Sequence, residues 1–355
     1  MSAAADWRFG AELDGAYEAD LNHPDNHVFR SRSTTAKLDE PVLNMAMAYA
    51  HKDAVVDSRL GFQLSVQTGK DSRDFGYSAT SPNIQSGDAL RHFGQANISY
   101  LAPVGRGLTL QGGLFNSIIG EESLYAKDNF NYTRSWIADY SPYLMFGGNA
   151  SYPLTDATTA GVYVINEYFH LSQSNGEPAY GAFVSHKATS ELTIKETLFY
   201  GPDQEETSIR LWRLFTDSIA EWKRGRLSAW IDNQAGTERV ADRGGHRVFW
   251  EGAALGARWS FTDRIALALR PEFYWDHDGR LTGSRQLDRA ITTTFEYKLP
   301  FHRTSTTLRL EHRYDESTGP DGGFFYGKDS STGTPTLRQK QHLLIAALIW
   351  TFDSP

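Results

Sequence analysis

The sequence predicts an all-β protein, a transmembrane antiparallel up-and-down β-barrel of about sixteen strands. Three observations lead to this prediction. Apolar and polar residues alternate in segment after segment, short turns and long loops alternate between those segments, and no apolar run approaches the roughly 18 residues of a membrane-spanning helix. Because the pattern runs from about residue 6 to residue 352, residues 1–355 are expected to form a single barrel domain.

The first strand, residues 6–21, alternates almost strictly. Arg8, Glu12, Asp14, Glu18 and Asp20 fall on one face, and the opposite face is mainly apolar. That period of two is the pattern of a strand with one apolar and one charged face. The apolar face carries Trp7, Phe9, Ala11, Leu13, Gly15, Tyr17, Ala19 and Leu21.

The same period recurs along the rest of the chain, more clearly in some segments than in others. The further predicted strands are centred on 43–49, 59–66, 92–102, 108–116, 143–152, 159–169, 179–187, 191–200, 209–222, 227–234, 253–261, 265–273, 291–299, 307–315 and 343–352.

The connections between these segments differ in length in a regular way. Short turns such as PVGRG and KRGR alternate with long segments at 22–40, 69–90, 117–142, 235–247, 276–287 and 316–339. Outer-membrane barrels have short periplasmic turns and long extracellular loops, and an even strand number places both termini on the periplasmic side. A soluble β-sandwich or propeller also alternates, but the charged polar faces, the absence of a repeat and the alternating turn lengths favour the barrel.

The closing strand, LLIAALIWTF at residues 343–352, is too short for a membrane helix and long enough for a membrane strand. We expect it to pair with the first strand and thereby remove both sheet edges. Its aromatic end resembles the signal read by the barrel-assembly machinery, although Asp353, Ser354 and Pro355 follow it. Leu344, Ala346, Leu348, Trp350 and Phe352 are expected to face lipid, which leaves an unexplained apolar lumen face at Leu343, Ile345, Ala347 and Ile349.

The composition of the chain argues against several classes of function. The net charge of −8 gives nucleic-acid binding no electrostatic support, and the absence of cysteine excludes disulfides, thiol catalysis and thiolate metal ligands.

Aromatic residues near strand ends suggest a girdle at the membrane interface. These are Trp259, Phe261, Tyr297, Phe301, Trp350 and Phe352.

One segment resembles a known family. Residues 113–156 contain G-L-F at 113–115, DNFNYTRS at 128–135, Y-S-P at 140–142 and YPLTD at 152–156. This succession resembles the beta-barrel porin-2, OmpL-like family, closely over about an eighth of the chain and elsewhere only in strand pattern. The resemblance implies an outer-membrane porin of a Gram-negative bacterium, with a loosely defined substrate.

The loop at 117–142 is the candidate pore constriction. Its aromatic residues could pack it against the inner wall while its charged groups face the passage; a position outside the barrel, as a lid or against a neighbouring subunit, is the alternative. The charged candidates are Glu121, Glu122, Asp128, Arg134 and Asp139.

Basic residues of the lumen form the second candidate group, namely Arg8, Arg258, Arg270, Arg309 and Arg313. Carboxylates facing arginines across a narrow pore create a transverse field that orients dipolar solutes. Alternatively, these arginines simply pair with lumen carboxylates. The acidic candidates are Glu272, Glu296, Glu311 and Asp315.

The predicted function is therefore a water-filled channel for passive diffusion of small hydrophilic solutes or ions. A barrel that sheathes an electron carrier or threads an exported polymer is one alternative, and an outer-membrane hydrolase is another. No catalytic motif, cofactor or metal is expected, because GxSxG, HExxH and nucleotide-binding patterns are absent and the histidines lack ligand spacing. An aromatic track for sugars would use Trp212, Trp230, Trp250 and Tyr274.

The expected partners are membrane lipids, lipopolysaccharide, small hydrophilic solutes and the assembly machinery. A homotrimer is also expected from the barrel's size and from small residues on the outer wall of the early strands. These residues are Ala96, Gly112, Gly148 and Ala150.

Overall fold

The computed structural model describes residues 7–74, 90–171, 175–301, 303–328 and 336–354. The predicted first residue of the first strand, Asp6, lies outside them. The described chain contains the strands β1 Arg8–Asp20, β2 Pro41–Lys52, β3 Leu60–Thr68, β4 Phe93–Ala102, β5 Leu108–Asn116, β6 Leu144–Pro153, β7 Thr158–Ile165, β8 Ala179–Lys187, β9 Leu192–Gly201, β10 Arg213–Arg224, β11 Leu227–Val240, β12 His246–Ser260, β13 Ile265–Asp276, β14 Gln286–Pro300, β15 Thr304–Thr318, β16 Phe324–Phe325, β17 Leu337–Arg338 and β18 Lys340–Asp353.

Sixteen of these described strands close into one antiparallel barrel, which confirms the predicted fold class and strand number. Strands β1 to β15 follow one another around the wall, and β18 joins β15 to β1. The closing pair runs from Gly10 opposite Asp353 to Asp20 opposite Leu343. No strand edge of the wall is left unpaired, as a barrel in lipid requires. The two-residue strands β16 and β17 form a separate two-stranded antiparallel sheet between β15 and β18.

The outer face of the closing strand is as predicted. Leu344 is 50% exposed and Leu348 47% exposed, whereas the intervening Leu343 and Ile345 are buried. At the short-turn rim the outer wall carries exposed aromatic side chains, including Trp259 and Phe261. The outer wall therefore has the apolar band and aromatic girdle of a membrane barrel.

The prediction of a long loop at 235–247 was wrong. Strand β11 continues to Val240 and β12 begins at His246, so the two strands remain paired up to a five-residue turn containing Gly244 and Gly245. The polar residues of 235–240 resembled a loop because a hairpin projecting beyond the lipid no longer needs an apolar outer face.

Strand β2 departs from simple alternation. Leu43 lies opposite Gly15 and Met45 lies opposite Asp14, so β2 has one extra residue, Asn44, at this point. The residues after Asn44 therefore face the other side of the wall from the side that strict alternation with Leu43 predicts. Met45 and Met47 are consequently buried beside the inward carboxylates of β1, and Tyr49 pairs with Gly10. A β-bulge of this kind redirects side chains without breaking the wall.

Short helical segments lie in the connections rather than in the wall. Among the described residues they include the α-helical turns Asp71–Asp74 and Trp136–Asp139 and the 3-10 turns Ala126–Asp128, Ile209–Leu211 and Ala241–Arg243. None of the described helices is long and apolar enough to cross a membrane.

Candidate functional site

The connection between β5 and β6, residues 117–142, runs inside the barrel. Its neck is closed by the Ser117 amide, which donates to the Tyr143 carbonyl at 2.9 Å. Tyr132 and Trp136 are completely buried, and Asn131 donates to Thr294 of β14 at 2.7 Å. We call residues 117–142 the inner loop.

Carboxylates of the wall bind the backbone of the inner loop on one side of the lumen. Glu311 of β15 accepts hydrogen bonds from the amides of Tyr132 at 2.6 Å and Thr133 at 3.1 Å. Glu272 of β13 accepts one from the Trp136 amide. Negative charge on the wall is thus used to satisfy backbone donors that would otherwise be buried without partners.

The beginning of the inner loop is held on another part of the wall. Asp217 of β10 accepts from the Gly120 amide at 2.8 Å, and Asp232 of β11 accepts from the Glu121 amide at 3.0 Å. Tyr132 also donates its hydroxyl to Asp14 of β1 at 2.8 Å. Because these strands lie far apart around the wall, the inner loop crosses the lumen instead of following one side.

Arginines of the late strands bind the carbonyl groups of the same loop. Arg309 donates to the carbonyls of Ala126 and Asn129, each at 2.7 Å. Arg313 donates to the Arg134 carbonyl at 2.8 Å, and Arg270 donates to a loop carbonyl as well. The planar guanidinium, with five donors, suits this multiple contact.

These three arginines and Arg258 also form ion pairs with wall carboxylates, which is the alternative that the sequence left open for them. The pairs are Arg309–Glu296 at 2.9 Å, Arg258–Glu296 at 2.5 Å, Arg270–Glu272 at 3.2 Å, Arg313–Glu272 at 3.3 Å and Arg313–Asp315 at 2.8 Å. Arg8 lies apart from this group, with half of its side chain exposed and its guanidinium on Asp53.

The charged candidates of the inner loop each have a partner too. The pairs are Glu121–Lys195 at 3.4 Å, Glu122–Arg270 at 2.7 Å, Asp128–Lys127 at 2.8 Å, Arg134–Asp71 at 3.3 Å and Asp139–Arg32 at 2.8 Å. Of these five candidates, Asp128 is the most open to solvent, with 48% of its side chain exposed.

Burial changes the ionisation of two carboxyl groups in the loops. It raises the pKa of Glu121 to about 8; Lys195 opposes this shift and Glu221 adds to it. Burial likewise raises the pKa of Asp71 to about 7, against the opposing effect of Arg134. Desolvation of the charged form explains both directions.

The loop between β1 and β2 packs on the end of the inner loop. The Thr34 hydroxyl donates to Asp139 at 2.6 Å, and the Phe29 ring meets the Trp136 ring edge to face at 5.9 Å. Arg32 stacks over Trp136 with 4.9 Å between its guanidinium carbon and the ring centre. The short helix of the inner loop is therefore covered from the long-loop side.

The packing of the inner loop accounts for the apolar lumen face of β18. Leu343, Ile345, Ala347 and Ile349 belong to the same buried cluster as Tyr132 and Trp136. A lumen filled by protein needs apolar packing surface, whereas the alternation rule for an open channel predicts polar residues there. The sequence signal was present in LLIAALIWTF but had no interpretation without the loop.

The proposed aromatic track is not continuous in the structure. Trp230, Trp250 and Tyr274 are almost fully buried. Trp212 lies instead against the rings of Tyr180 and Tyr200, which are exposed on the outer wall.

Sequence reasoning missed several residues that hold the inner loop. Asn44 donates to the Tyr132 hydroxyl at 2.8 Å, and Tyr125 donates to Gln67 at 2.8 Å. Asp217 and Asp232 were also missed. The available signal was a carboxylate or amide at an inward position of an alternating strand, which by itself does not distinguish a loop anchor from a water-exposed lumen residue.

Three potential metal ligands also come together in the loops. Glu167, His170 and Asp203 bring one ligand atom each to within 4.8 Å of one another. His170 is hydrogen-bonded to Glu167, which raises the pKa of the imidazole although burial opposes this, and Asp203 pairs with Arg213 at 2.7 Å. Glu167 and Asp203 thus already have hydrogen-bonding or ion-pair partners, in His170 and Arg213.

Solved structures with a similar fold include a porin and an outer-membrane protein. The chain superposes on an anion-selective porin from Comamonas acidovorans with a TM-score of 0.59 and 11% identity, covering 99% of this chain and 100% of that one. OmpT of Vibrio cholerae gives 0.57 and 10%, with 100% and 99% covered. OprB of Pseudomonas putida gives 0.56 and 10%, with 98% and 94% covered.

Comparison with curated proteins by sequence gives no match. A family model, however, matches residues 6–352, nearly the whole chain. The chain therefore belongs to the family described as "Putative beta-barrel porin-2, OmpL-like" and is an outer-membrane porin of a Gram-negative bacterium.

Proposed function

We propose that the inner loop is the constriction of this porin, and that small hydrophilic solutes and ions diffuse past it. The observation that supports the proposal is the attachment of residues 117–142 to strands on several sides of the lumen, through Asp14, Asp217, Glu272 and Glu311. A sixteen-stranded barrel without such a loop leaves a wide aqueous channel.

The lumen charges serve mainly to fix the loop in this proposal. Arg270, Arg309 and Arg313 each contact both a wall carboxylate and a loop carbonyl. Breaking one partner of a buried charged pair is costly because the other charge is left uncompensated. The constriction is therefore rigid, and its width is set by the loop backbone more than by mobile side chains.

We propose that the apolar outer wall contacts lipid and lipopolysaccharide, and that its small residues contact further copies of the chain. Ala96, Gly112, Gly148 and Ala150 lie on the outward-facing side of neighbouring strands, next to exposed residues such as Ile98 and Leu110. Small outward residues let two walls approach closely. One of the structurally similar proteins, OmpT of Vibrio cholerae, has a trimer form. We propose a homotrimer that uses this wall.

We assign the chain no catalytic activity, in keeping with its porin family. A barrel that threads a partner protein or polymer is less compatible with the inner loop, because its occupant would have to displace Tyr132 and Trp136 from complete burial. An outer-membrane hydrolase has no nucleophile and base identified among the described residues.

The test is ion conductance of the refolded protein in a planar bilayer, with residues 122–139 intact or replaced by a short Gly-Ser linker. We expect stable conductance that rises on replacement. The matched control is Arg285→Gln, which removes an exposed ion pair with Asp321 outside the lumen and should leave conductance unchanged. A loop-replaced barrel that conducts no better than the intact one would refute the constriction, and silence in both would refute diffusion.

A further inference from the structure

Four amide side chains form a continuous hydrogen-bonded row across the inner faces of β3, β4, β5 and β6. Asn149 donates to Gln111 at 2.9 Å, Gln111 donates to Asn97 at 2.9 Å, and Asn97 donates to Gln63 at 3.0 Å. We call these four residues the amide row.

The strand register builds this row. Gln63 lies directly opposite Asn97, and Gln111 lies directly opposite Asn149, so members of each pair point to the same side of the wall. Each amide carries two donor hydrogens and an oxygen with two lone pairs. Within the row, each amide NH₂ group donates to the oxygen of the next amide, so some donor hydrogens and lone pairs remain for other partners. Amides aligned in this way also polarise one another.

Among the described residues, the inner loop makes no hydrogen bond to the four side chains of the amide row. Within the described residues, the hydrogen bonds of the inner loop to the wall reach strands β1 to β3, β9 to β11 and β13 to β15. None of these bonds is made to an inward-facing side chain of β4 to β8. Gln63, Gln111 and Asn149 are only partly buried. Leu124 and Tyr125 of the loop do pack on this wall at its long-loop end, in one buried cluster with Leu114 and Leu144, so the passage is expected beside the amide row itself.

A cavity of about 180 Å³ lies between the inner loop and the strands β1 to β4, at the end of the amide row formed by Gln63. Gln63 and the rings of Tyr49 and Tyr125 line it, together with the ion pair of Lys127 and Asp128. Arg8 and His51 also line the cavity, and each is paired with Asp53. The charged groups here therefore have partners, whereas the amides offer donors and acceptors without net charge. Such a surface replaces the hydration of hydroxyl groups better than the hydration of an ion.

We infer that the amide row binds uncharged, hydroxyl-rich solutes, the chemistry of carbohydrates, as they pass the constriction. The inference rests on the proposed diffusion function. The solute exchanges water for amide donors and acceptors on one side and can place an apolar face against the partly buried ring of Tyr49. Ions cross the same passage without specific attraction to the row.

The experiment measures block of the ion current through the refolded full-length protein by maltotriose. A polyethylene glycol of matched size, which lacks most of the hydroxyl groups, is the probe for simple obstruction. The test variant combines Gln111→Met and Asn149→Leu, which keep side-chain volume and remove hydrogen bonding. The control is Thr159→Val on β7, which removes a hydroxyl group from the wall outside the row.

We expect maltotriose to block wild type at lower concentration than the polymer does. In the double variant the half-blocking concentration of maltotriose should rise about fivefold, the effect of one or two lost hydrogen bonds. The block by the polymer in the double variant, and the block by maltotriose in the control, should stay as in wild type. Equal block of wild type by both probes would overturn the inference whether or not the variant folds. Unchanged maltotriose block in a conducting double variant would also overturn it and leave the porin function intact. A wild-type barrel that conducts no ions would instead refute the diffusion function first.

Discussion

Glu311 offers the sharpest test of how the inner loop is held. Its carboxylate accepts from the amides of Tyr132 and Thr133 and from the Thr133 hydroxyl, and it also accepts from Thr294 on the neighbouring strand at 2.6 Å. Glu311→Ala removes three hydrogen bonds to the loop at once. Each bond to a charged group contributes about 1.5 kcal/mol or more, and non-additivity within one network reduces the total to about 3 kcal/mol.

A loss of about 3 kcal/mol changes the equilibrium between attached and detached loop by about a hundredfold. In single-channel records of Glu311→Ala, we expect excursions to the conductance level of the loop-replaced barrel to become about a hundred times more frequent than in wild type. Glu316→Ala, on the same strand but facing the outer wall groove, is the matched control and should behave as wild type. Identical records for Glu311→Ala and wild type would show that the carboxylate does not hold the loop, and the reasoning would fail.

Three further outcomes are expected. Burial raises the pKa of Glu121 from 4.5 to about 8, so the attached loop retains a proton that the detached loop releases, and attachment should weaken as the pH rises from about 4.5 to 8. Glu121→Gln should reduce this pH dependence of the open level and leave the part that comes from Asp71, whose pKa is raised to about 7 beside Arg134. Trp136→Ala removes a fully buried indole at a cost of about 3–5 kcal/mol, so trypsin should cut after Lys127 in the variant and not in wild type; equal resistance would contradict the packing. Leu348→Arg places a charge on the lipid face and should lower the unfolding free energy in bilayers by about 2–4 kcal/mol, whereas Glu316→Arg near the rim should cost little.

Much of the fold was predictable because alternation is a local property. The period-2 pattern in residues 6–21 and in LLIAALIWTF fixes which side chains can share a face, and closure of β1 on β18 follows from the need to pair every edge in lipid. The pattern failed where local composition conflicts with long-range pairing. Residues 235–240 are polar enough for a loop, yet they continue the β11–β12 ladder.

The candidate site was predictable only in part, for a related reason. The length and aromatic content of residues 117–142 marked the loop, and the inward arginines of β13 and β15 followed from alternation. Which wall groups hold the loop did not follow. Asp14 and Glu311 meet the loop through contacts separated by more than a hundred residues, and no spacing rule connects such positions.

The sequence by itself determined the barrel, its approximate strand number and its family, because these depend on the period of the side chains, on turn lengths and on one recognisable segment. Tertiary structure decided the course of the inner loop, the packing of Leu343 and Ile345 against it, and the assembly of Gln63, Asn97, Gln111 and Asn149 into one row. The physical reason is that a barrel wall specifies only which side each residue faces. What fills the lumen depends on contacts between side chains from distant strands, and those arise only after the barrel has closed.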